Sequence, residues 1–337
     1  MWQVVGHESA IALLSRSLER DMLSHAYMFV GPSRVGKTTL ALNLAQGVNC
    51  LAEKAARPCA ECGQCTRIAQ GLHPDVQIID REMNASGTRA RRDIGIDQVR
   101  DAQRAATLKP YEGRCRVFIF QEAASLSQEA SNALLKLLEE PPESVLLILL
   151  TGNRESIPDT IHSRCQQIDF RTLPIDLIAR HLEESQEVSR EEAMELARLS
   201  GGKAGWAIEA ARDRSLVEEY TAELEGVSNL LDNGLEERFA FAEEVASLYA
   251  RDWERALSRL KVGVNWWRDV LLIKSGHEEL VSNAPAMENL RRHAGWLSTP
   301  QVVKAISAIR ETMDHLESNI NPRLSLDVLM LSLPRRE

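Results

Sequence analysis

Nine residues, GPSRVGKTT from Gly31 to Thr39, constrain this chain more than any other stretch. They fit the pattern G-x-x-x-x-G-K-[ST], with an apolar run, AYMFV, just before them and a helical pattern, TTLALNLAQ, running out of them. Such a loop cradles phosphate only as the turn between a strand and a helix, so it predicts a parallel α/β sheet. The glycines let the backbone turn tightly and aim its N–H groups at phosphate oxygens, and the helix N-terminus adds a favourable dipole. Gly31 and Gly36 shape the turn, Lys37 reaches towards β- and γ-phosphates, and Thr38 is placed to ligate Mg²⁺, with Thr39 beside it in an ATP-binding set.

The rest of the sheet is expected at four further apolar runs: VQII at Val76, VFIF at Val117, VLLILL at Val145 and QQIDF at Gln166. They alternate with helical patterns, the rhythm of a doubly wound sheet. After Leu173 and Pro174 the strands stop. The remainder reads as helix, with Val302, Ile306, Ile309, Met313 and Leu316 making one apolar stripe that is read as core. At 337 residues the chain exceeds a comfortable single core, so two or three domains are expected, with a division near SGGKAG, Ser200 to Gly205.

Hydrolysis demands more than a cradle. An acidic residue at the end of a neighbouring strand must hold the metal shell, and another must position water. After Val117–Phe120 the chain offers Gln121, which is neutral, and Glu122, which fits either the second role or a solvated helix start. The sequence therefore leans towards nucleotide binding over turnover.

Four of the six cysteines, Cys50, Cys59, Cys62 and Cys65, form C-x8-C-x2-C-x2-C. Four thiolates complete a closed tetrahedral zinc shell, which favours a structural Zn²⁺ inserted after the phosphate-loop helix; reduced free thiols are the alternative. The net charge of −9 argues against a protein that grips nucleic acid by itself. The loop NASGTRARRD, Asn84 to Asp93, is locally basic and reads as solvated surface or as a phosphate contact. No run is as long as a membrane span and the opening MWQVVGHESA lacks the regions of a signal peptide, so a cytoplasmic protein is expected.

Several motifs then point one way: VVGHESA at Val4, SHAYMFVGPSRVGKTT at Ser24, the four cysteines, HPDV at His73, IDQVR at Ile96, ASNALLKLLEEPPE at Ala130, IHSRCQQIDF at Ile161, WWRDVLL at Trp266 and NINPRLSLDVL at Asn319. Over nearly its whole length the chain resembles the clamp-loader subunits of the AAA+ class, and above all the delta-prime family of bacterial DNA polymerase III. The resemblance implies an AAA+ P-loop domain over 1–170 carrying the zinc module at 50–65, a helical lid over 171–212 and a helical collar, the oligomerisation domain, over 213–337. It implies gamma/tau and delta subunits as partners, with the sliding clamp and primed DNA met in the assembled complex. It makes Ser163, Arg164 and Cys165 the family's S-R-C motif, whose arginine reaches the ATP site of the adjacent subunit; read as a bare tripeptide, Arg164 is equally a surface salt bridge.

Helix Gln128 to Glu140, capped by Ser127 and stopped by Pro141 and Pro142, is expected to turn Leu134, Leu135 and Leu138 inward. Asn132, Lys136, Glu139 and Glu140 are left to meet a neighbour. Two departures from the motor pattern matter: Gln121 stands at the Walker B aspartate, and Gly205 aligns with the phosphate-sensing arginine of the lid. Thr151 falls near the family's sensor position. The chain is thus expected to lack ATPase activity of its own while supplying Arg164 in trans. An active gamma/tau-type motor is the alternative, opposed by Gln121, Gly205 and the stop at Glu337 without a polymerase-binding extension. A zinc-dependent nucleic-acid-binding protein outside replication is a third reading, opposed by the acidic balance and the phosphate loop.

Overall fold

The computed structural model describes residues 2–83, 92–318 and 320–335. Two compact units divide the chain: Met1–Ile178 with Gly202–Trp206, and Ala179–Gly201 with Ala207–Glu337. The first contains α1 (Glu8–Glu19), β1 (Ala26–Val30), α2 (Lys37–Asn49), α3 (Gly63–Ala69), β2 (Val76–Ile79), α4 (Ile96–Ala106), β3 (Arg116–Phe120), α5 (Gln128–Glu139), β4 (Val145–Thr151), α6 (Asp159–His162) and β5 (Gln166–Asp169). All five strands lie within a residue or two of the apolar runs. The arginines at 89 and 91 of the basic loop lie outside the described residues.

The strands form one parallel sheet in the order β2-β3-β4-β1-β5. Side chains of a strand alternate between its faces, and here both faces are covered. Ala26, Met28, Phe118, Phe120, Leu147 and Leu149 enter one core, which α4 and α5 close. Tyr27, Phe29, Val117, Ile119, Leu146 and Ile148 enter the opposite core, closed by α1, α2 and α3. That double burial is why these strands read as continuous apolar runs. Because β4 lies between β1 and β3, the carboxyl ends of the three strands stand side by side, with Val30 in register with Thr151 and Phe120 with Leu149. Ligands of open α/β sheets bind at this edge.

Helix α5 keeps the expected polar face outward, with Asn132, Lys136, Glu139 and Glu140 exposed. Its buried set is Ala130, Ser131, Leu134, Leu137 and Leu138, so Leu137 takes the place foreseen for Leu135, which is half-buried. The Ser127 hydroxyl accepts the Ala130 N–H at 3.1 Å, the N-cap expected.

Beyond β5 the chain is helical: α7 (Ile175–Gln186), α8 (Arg190–Leu199), α9 (Ala204–Arg212), α10 (Ser215–Asp232), α11 (Leu235–Arg251), α12 (Trp253–Lys274), α13 (Met287–Trp296), α14 (Thr299–Glu317) and α15 (Pro322–Ser332). Helices α10 to α15 share a core built around Trp266 and Trp267. The stripe of α14 faces it through Val302, Ile309 and Leu316, with Ile306 and Met313 on its flanks. Arg238 is fully buried there and donates to the Leu230, Leu333 and Pro334 carbonyls at 2.8, 3.2 and 2.8 Å, satisfying acceptors left over at helix ends. Among the described residues no helix is long and apolar enough to cross a membrane.

Candidate nucleotide and metal sites

The phosphate loop joins β1 to α2 as its sequence requires. Gly31 has φ +152°, and a Cβ there would overlap the Phe170 carbonyl oxygen, so only glycine fits. Gly36, at φ 110°, sits at the N-cap of α2, leaving the first helical N–H groups facing the loop. Lys37 bends over the loop, its ammonium donating to the Gly31 carbonyl and, at 2.8 Å, to that of Pro32. Burial holds the Lys37 ammonium below its ordinary pKa, and the Glu122 carboxylate, following β3, opposes that shift. Thr38 and Thr39 follow in the first turn, both half-buried. The loop, the helix end and the cation thus fit a nucleotide's phosphates.

The outside of the loop is held by backbone contacts that its sequence does not announce. His7 Nε2 meets the Val35 carbonyl at 3.0 Å, while the His7 ring packs on Phe170 at 4.6 Å. On the other side the Gly205 N–H, in the first turn of α9, donates to the Arg34 carbonyl at 2.8 Å. A Cβ at Gly205 would lie 2.8 Å from that same oxygen. The position aligned with a phosphate-sensing arginine is therefore a close backbone approach with no room for any side chain.

At the end of β3 the Gln121 N–H donates to the Ile79 carbonyl at 2.9 Å, whereas its side-chain oxygen is buried with no hydrogen-bond partner among the described residues. It is an acceptor aimed into protein, without the charge of a carboxylate. Glu122 does not open a helix; a single 3₁₀ turn, Ala123–Ser125, follows it and α5 begins at Gln128. The Thr151 hydroxyl is engaged by its own loop, at 2.8 Å from the Asn153 carbonyl and 3.1 Å from the Ser156 hydroxyl.

Cys50, Cys59, Cys62 and Cys65 come together with their sulfurs within 4.8 Å of one another. Cys59 and Cys65 sulfurs stand 4.0 Å apart, close to the ~3.8 Å edge of a tetrahedron of ~2.3 Å zinc–sulfur bonds. Backbone N–H groups point at sulfur, among them Cys59 to Cys50 at 3.4 Å and Cys62 to Cys59 at 3.3 Å. Burial opposes ionisation of the Cys62 thiol, but N–H donors of Leu51 and Cys65 and the adjacent thiols bring it down to about 6. Burial pushes Cys65 up. The cluster could hold a metal ion and fits a zinc site, since a divalent cation would favour the thiolate form throughout.

What ties this module to the sheet went unread in the sequence. Helix α2 carries a buried row of amides. Asn43 accepts the Gln3 N–H at 2.6 Å, Gln46 donates to the Cys65 carbonyl at 2.9 Å, and Asn49 accepts the Arg114 and Cys115 N–H groups at 2.8 and 3.0 Å. His73 accepts the Asp75 N–H on Nδ1 and faces Gln64 of α3 through Nε2, as a neutral imidazole can, and burial lowers its pKa. Asp75 is fully buried and accepts N–H groups of Tyr111, Glu112 and Gly113 at 2.7 to 2.9 Å, with Arg116 at 3.1 Å.

Burial would raise the Asp75 pKa, but those donors outweigh it and hold the carboxyl below its ordinary 3.8. A carboxylate depressed on folding contributes stability above its unfolded pKa and loses it as pH falls through the folded value. Asp75→Asn should therefore cost about 2–3 kcal/mol at pH 7, since it presents an N–H₂ to N–H donors, and the gap should narrow below about pH 4. Urea melts of both forms at pH 7 and pH 3 measure it; equal stability at pH 7 would mean that the buried Asp75 carboxylate does not stabilise the fold.

Arg164 follows the short helix α6. Its Nη1 donates to the Thr160 carbonyl at 2.7 Å and its Nη2 meets Glu139 of α5 at 2.8 Å, with 36% of the side chain exposed. Ser163 caps α6, and Cys165 is tucked against the core, its thiol pushed up to about 12 by burial.

Similarity to known proteins gives the chain its family. The family model described as "DNA polymerase III, delta subunit" matches residues 6–174. The DNA polymerase III subunit delta' of Bacillus subtilis is 30% identical over 95% of this chain and 94% of its own length. The tau/gamma subunit of Haemophilus influenzae is 40% identical over 53% of this chain, which spans only 25% of that protein. A solved gamma subunit-related protein of Thermotoga maritima is 20% identical with a TM-score of 0.42, covering 94% of this chain and 97% of that one. With the family model on half the chain and the delta' relative matched end to end, the chain belongs to the DNA polymerase III delta-subunit family of clamp-loader proteins.

Proposed function

We infer that the chain is a delta-prime-type subunit of the bacterial clamp loader, assisting the ATP-dependent loading of the sliding clamp onto primed DNA. In this role it contributes Arg164 to a neighbouring subunit's ATP site more than turnover of its own. The observation that carries the reading is the end-to-end match to delta', combined with a formed phosphate loop beside the neutral Gln121. Its partners are the gamma/tau motor and delta subunits, and through them the clamp and DNA. Residues 1–170 serve as the P-loop domain, 171–212 as the lid and 213–337 as the collar. The collar assignment is supported by an exposed apolar row on α15, with Leu324, Val328 and Leu331 at 61%, 57% and 52% exposure, the kind of surface an assembling helix presents. The four cysteines hold a structural zinc, and Gly31, Gly36, Lys37, Thr38 and Thr39 bind ATP.

One observation favours the motor reading: the Glu122 carboxylate, just beyond β3, acts electrostatically on Lys37. Two measurements separate the two. The isolated chain should bind ATP and lose that binding in Lys37→Ala, while its steady-state hydrolysis stays at background. In a reconstituted loader, omitting the chain should abolish clamp loading, whereas the Lys37→Ala form should load nearly as well as wild type. Robust turnover by the isolated chain that vanishes in Lys37→Ala would restore the motor reading.

A further inference from the structure

The structure contains a contact that bears on how Arg164 could work, and no motif pointed to it. Glu139 is the last residue of α5, with Glu140 as the C-cap. Carboxylates at a helix C-terminus face the negative end of the dipole, so this is a poor place for Glu139 as far as the helix is concerned. The residue is half exposed, so burial does not dictate it either. What it does touch is the Arg164 guanidinium, at 2.8 Å.

The contact is more than an isolated pairing of opposite charges. Nη1 donates to the Thr160 carbonyl at 2.7 Å and to the Ser163 hydroxyl at 3.3 Å, and Nη2 forms an ion pair with Glu139 at 2.8 Å, so α6 with its C-cap and α5 each hold one terminal nitrogen of a planar group. The bonds on Nη1 orient the guanidinium, and the carboxylate restrains its other end. These contacts leave N–H groups over: among the described residues neither Nε nor Nη2 donates a hydrogen bond. The backbone below is anchored as well, by the Arg164 N–H on the Ile161 carbonyl at 3.1 Å and by Cys165 against the core. A long, rotamer-rich side chain is thereby ordered before it meets an anion, which removes an ordering cost from the moment of binding.

We propose that Glu139 is a positioning residue for Arg164, presetting the guanidinium plane for the γ-phosphate of a nucleotide held by a neighbouring subunit. The proposal rests on the reading of Arg164 as acting in trans. It excludes the opposite role for the same contact, a brake in which Glu139 withholds the arginine.

The test assembles Glu139→Ala, Glu139→Gln, Arg164→Ala and the double variant Glu139→Ala/Arg164→Ala with wild-type motor and delta subunits, and measures clamp- and DNA-stimulated ATP hydrolysis. Glu139→Ala should lower kcat at unchanged KM by a part of the loss that Arg164→Ala produces, since at the one site this arginine serves an exposed ion pair can take away about three- to fivefold. Glu139→Gln, which keeps an acceptor oxygen, should fall between it and wild type. The double variant should be no slower than Arg164→Ala alone, because Glu139 acts only through the arginine. If Arg164→Ala slows hydrolysis while Glu139→Ala leaves it unchanged or speeds it, positioning is wrong and the trans role stands. If Arg164→Ala itself costs nothing, the trans role fails and the positioning proposal with it.

Discussion

One equivalent of zinc should purify with the folded chain, and removing it should destabilise the first compact unit well beyond the loss of a surface loop. Structural zinc in small peptides binds with an apparent ~10–16 kcal/mol at neutral pH, as large as the 5–15 kcal/mol that holds a whole domain together. Here the loss would not stay local. Cys50 is the C-cap of α2, Cys62 the N-cap of α3, and the Cys65 carbonyl is held by Gln46 from the middle of α2. Freed thiols would leave the buried amide row without its anchor on α3. Cys62→Ser should therefore abolish metal binding and lower the melting temperature by about 10 °C or more, given ~2–4 °C per kcal/mol for units of this size. Acid should do the same: the ligands are thiolates, so protonation as pH falls releases the metal, and stability lost on that account should return with alkali and zinc. Less than half an equivalent of metal, with four reactive thiols in the folded protein, would sink the prediction.

The sheet was legible because its strands are buried on both faces, which writes them as unbroken apolar runs. The five runs beginning at Ala26, Val76, Val117, Val145 and Gln166 all became strands. The stripe of α14 was legible for a related reason, since a helix against one core repeats every three or four residues. Long-range polar packing was not legible. Asn43, Gln46 and Asn49 lie three residues apart along α2, yet all three are buried, and Gln46 and Asn49 each bond backbone groups far along the chain, 19 to 66 residues away. No local pattern marks which polar residue will meet such a group. Leu135 and Leu137 were exchanged because they flank the same apolar stripe, and the choice depends on how α5 is rolled against the sheet.

The site itself divides along the same line. The phosphate loop and the cysteine cluster were readable because their chemistry sets spacing along the chain. Gly205 was readable only as a missing arginine; its backbone approach to Arg34 depends on residues 202–206 packing with the α/β unit. The Glu139–Arg164 pair joins positions 25 apart and has no signature at all.

Arg164→Ala should leave the isolated chain folded and its nucleotide binding unchanged, while slowing the assembled loader. The side chain is partly exposed, and its anchors, the Thr160 carbonyl, the Ser163 hydroxyl and Glu139, can all turn to water when it is removed, so the fold should lose at most about 1 kcal/mol. In the complex the loss falls elsewhere. A guanidinium stays charged at any working pH and offers a planar fork to the oxygens of a transferring phosphoryl group, where negative charge must be met. Fingers of this kind are typically worth about 10³ or more in rate at the site they serve. On the proposed role, in which this arginine serves one of several ATP sites in the loader, stimulated hydrolysis should fall only in part, and clamp loading more steeply if loading needs every site to fire. Arg164→Lys should recover little, since an ammonium keeps the charge but not the fork, and this separates recognition of a phosphate from a general effect of charge. The measurements are stimulated ATP hydrolysis and clamp loading by loaders that differ only at this residue, with assembly checked by size. Normal assembly with both activities unchanged would mean that Arg164 is a surface ion-pair residue and that the chain's contribution to the loader lies elsewhere.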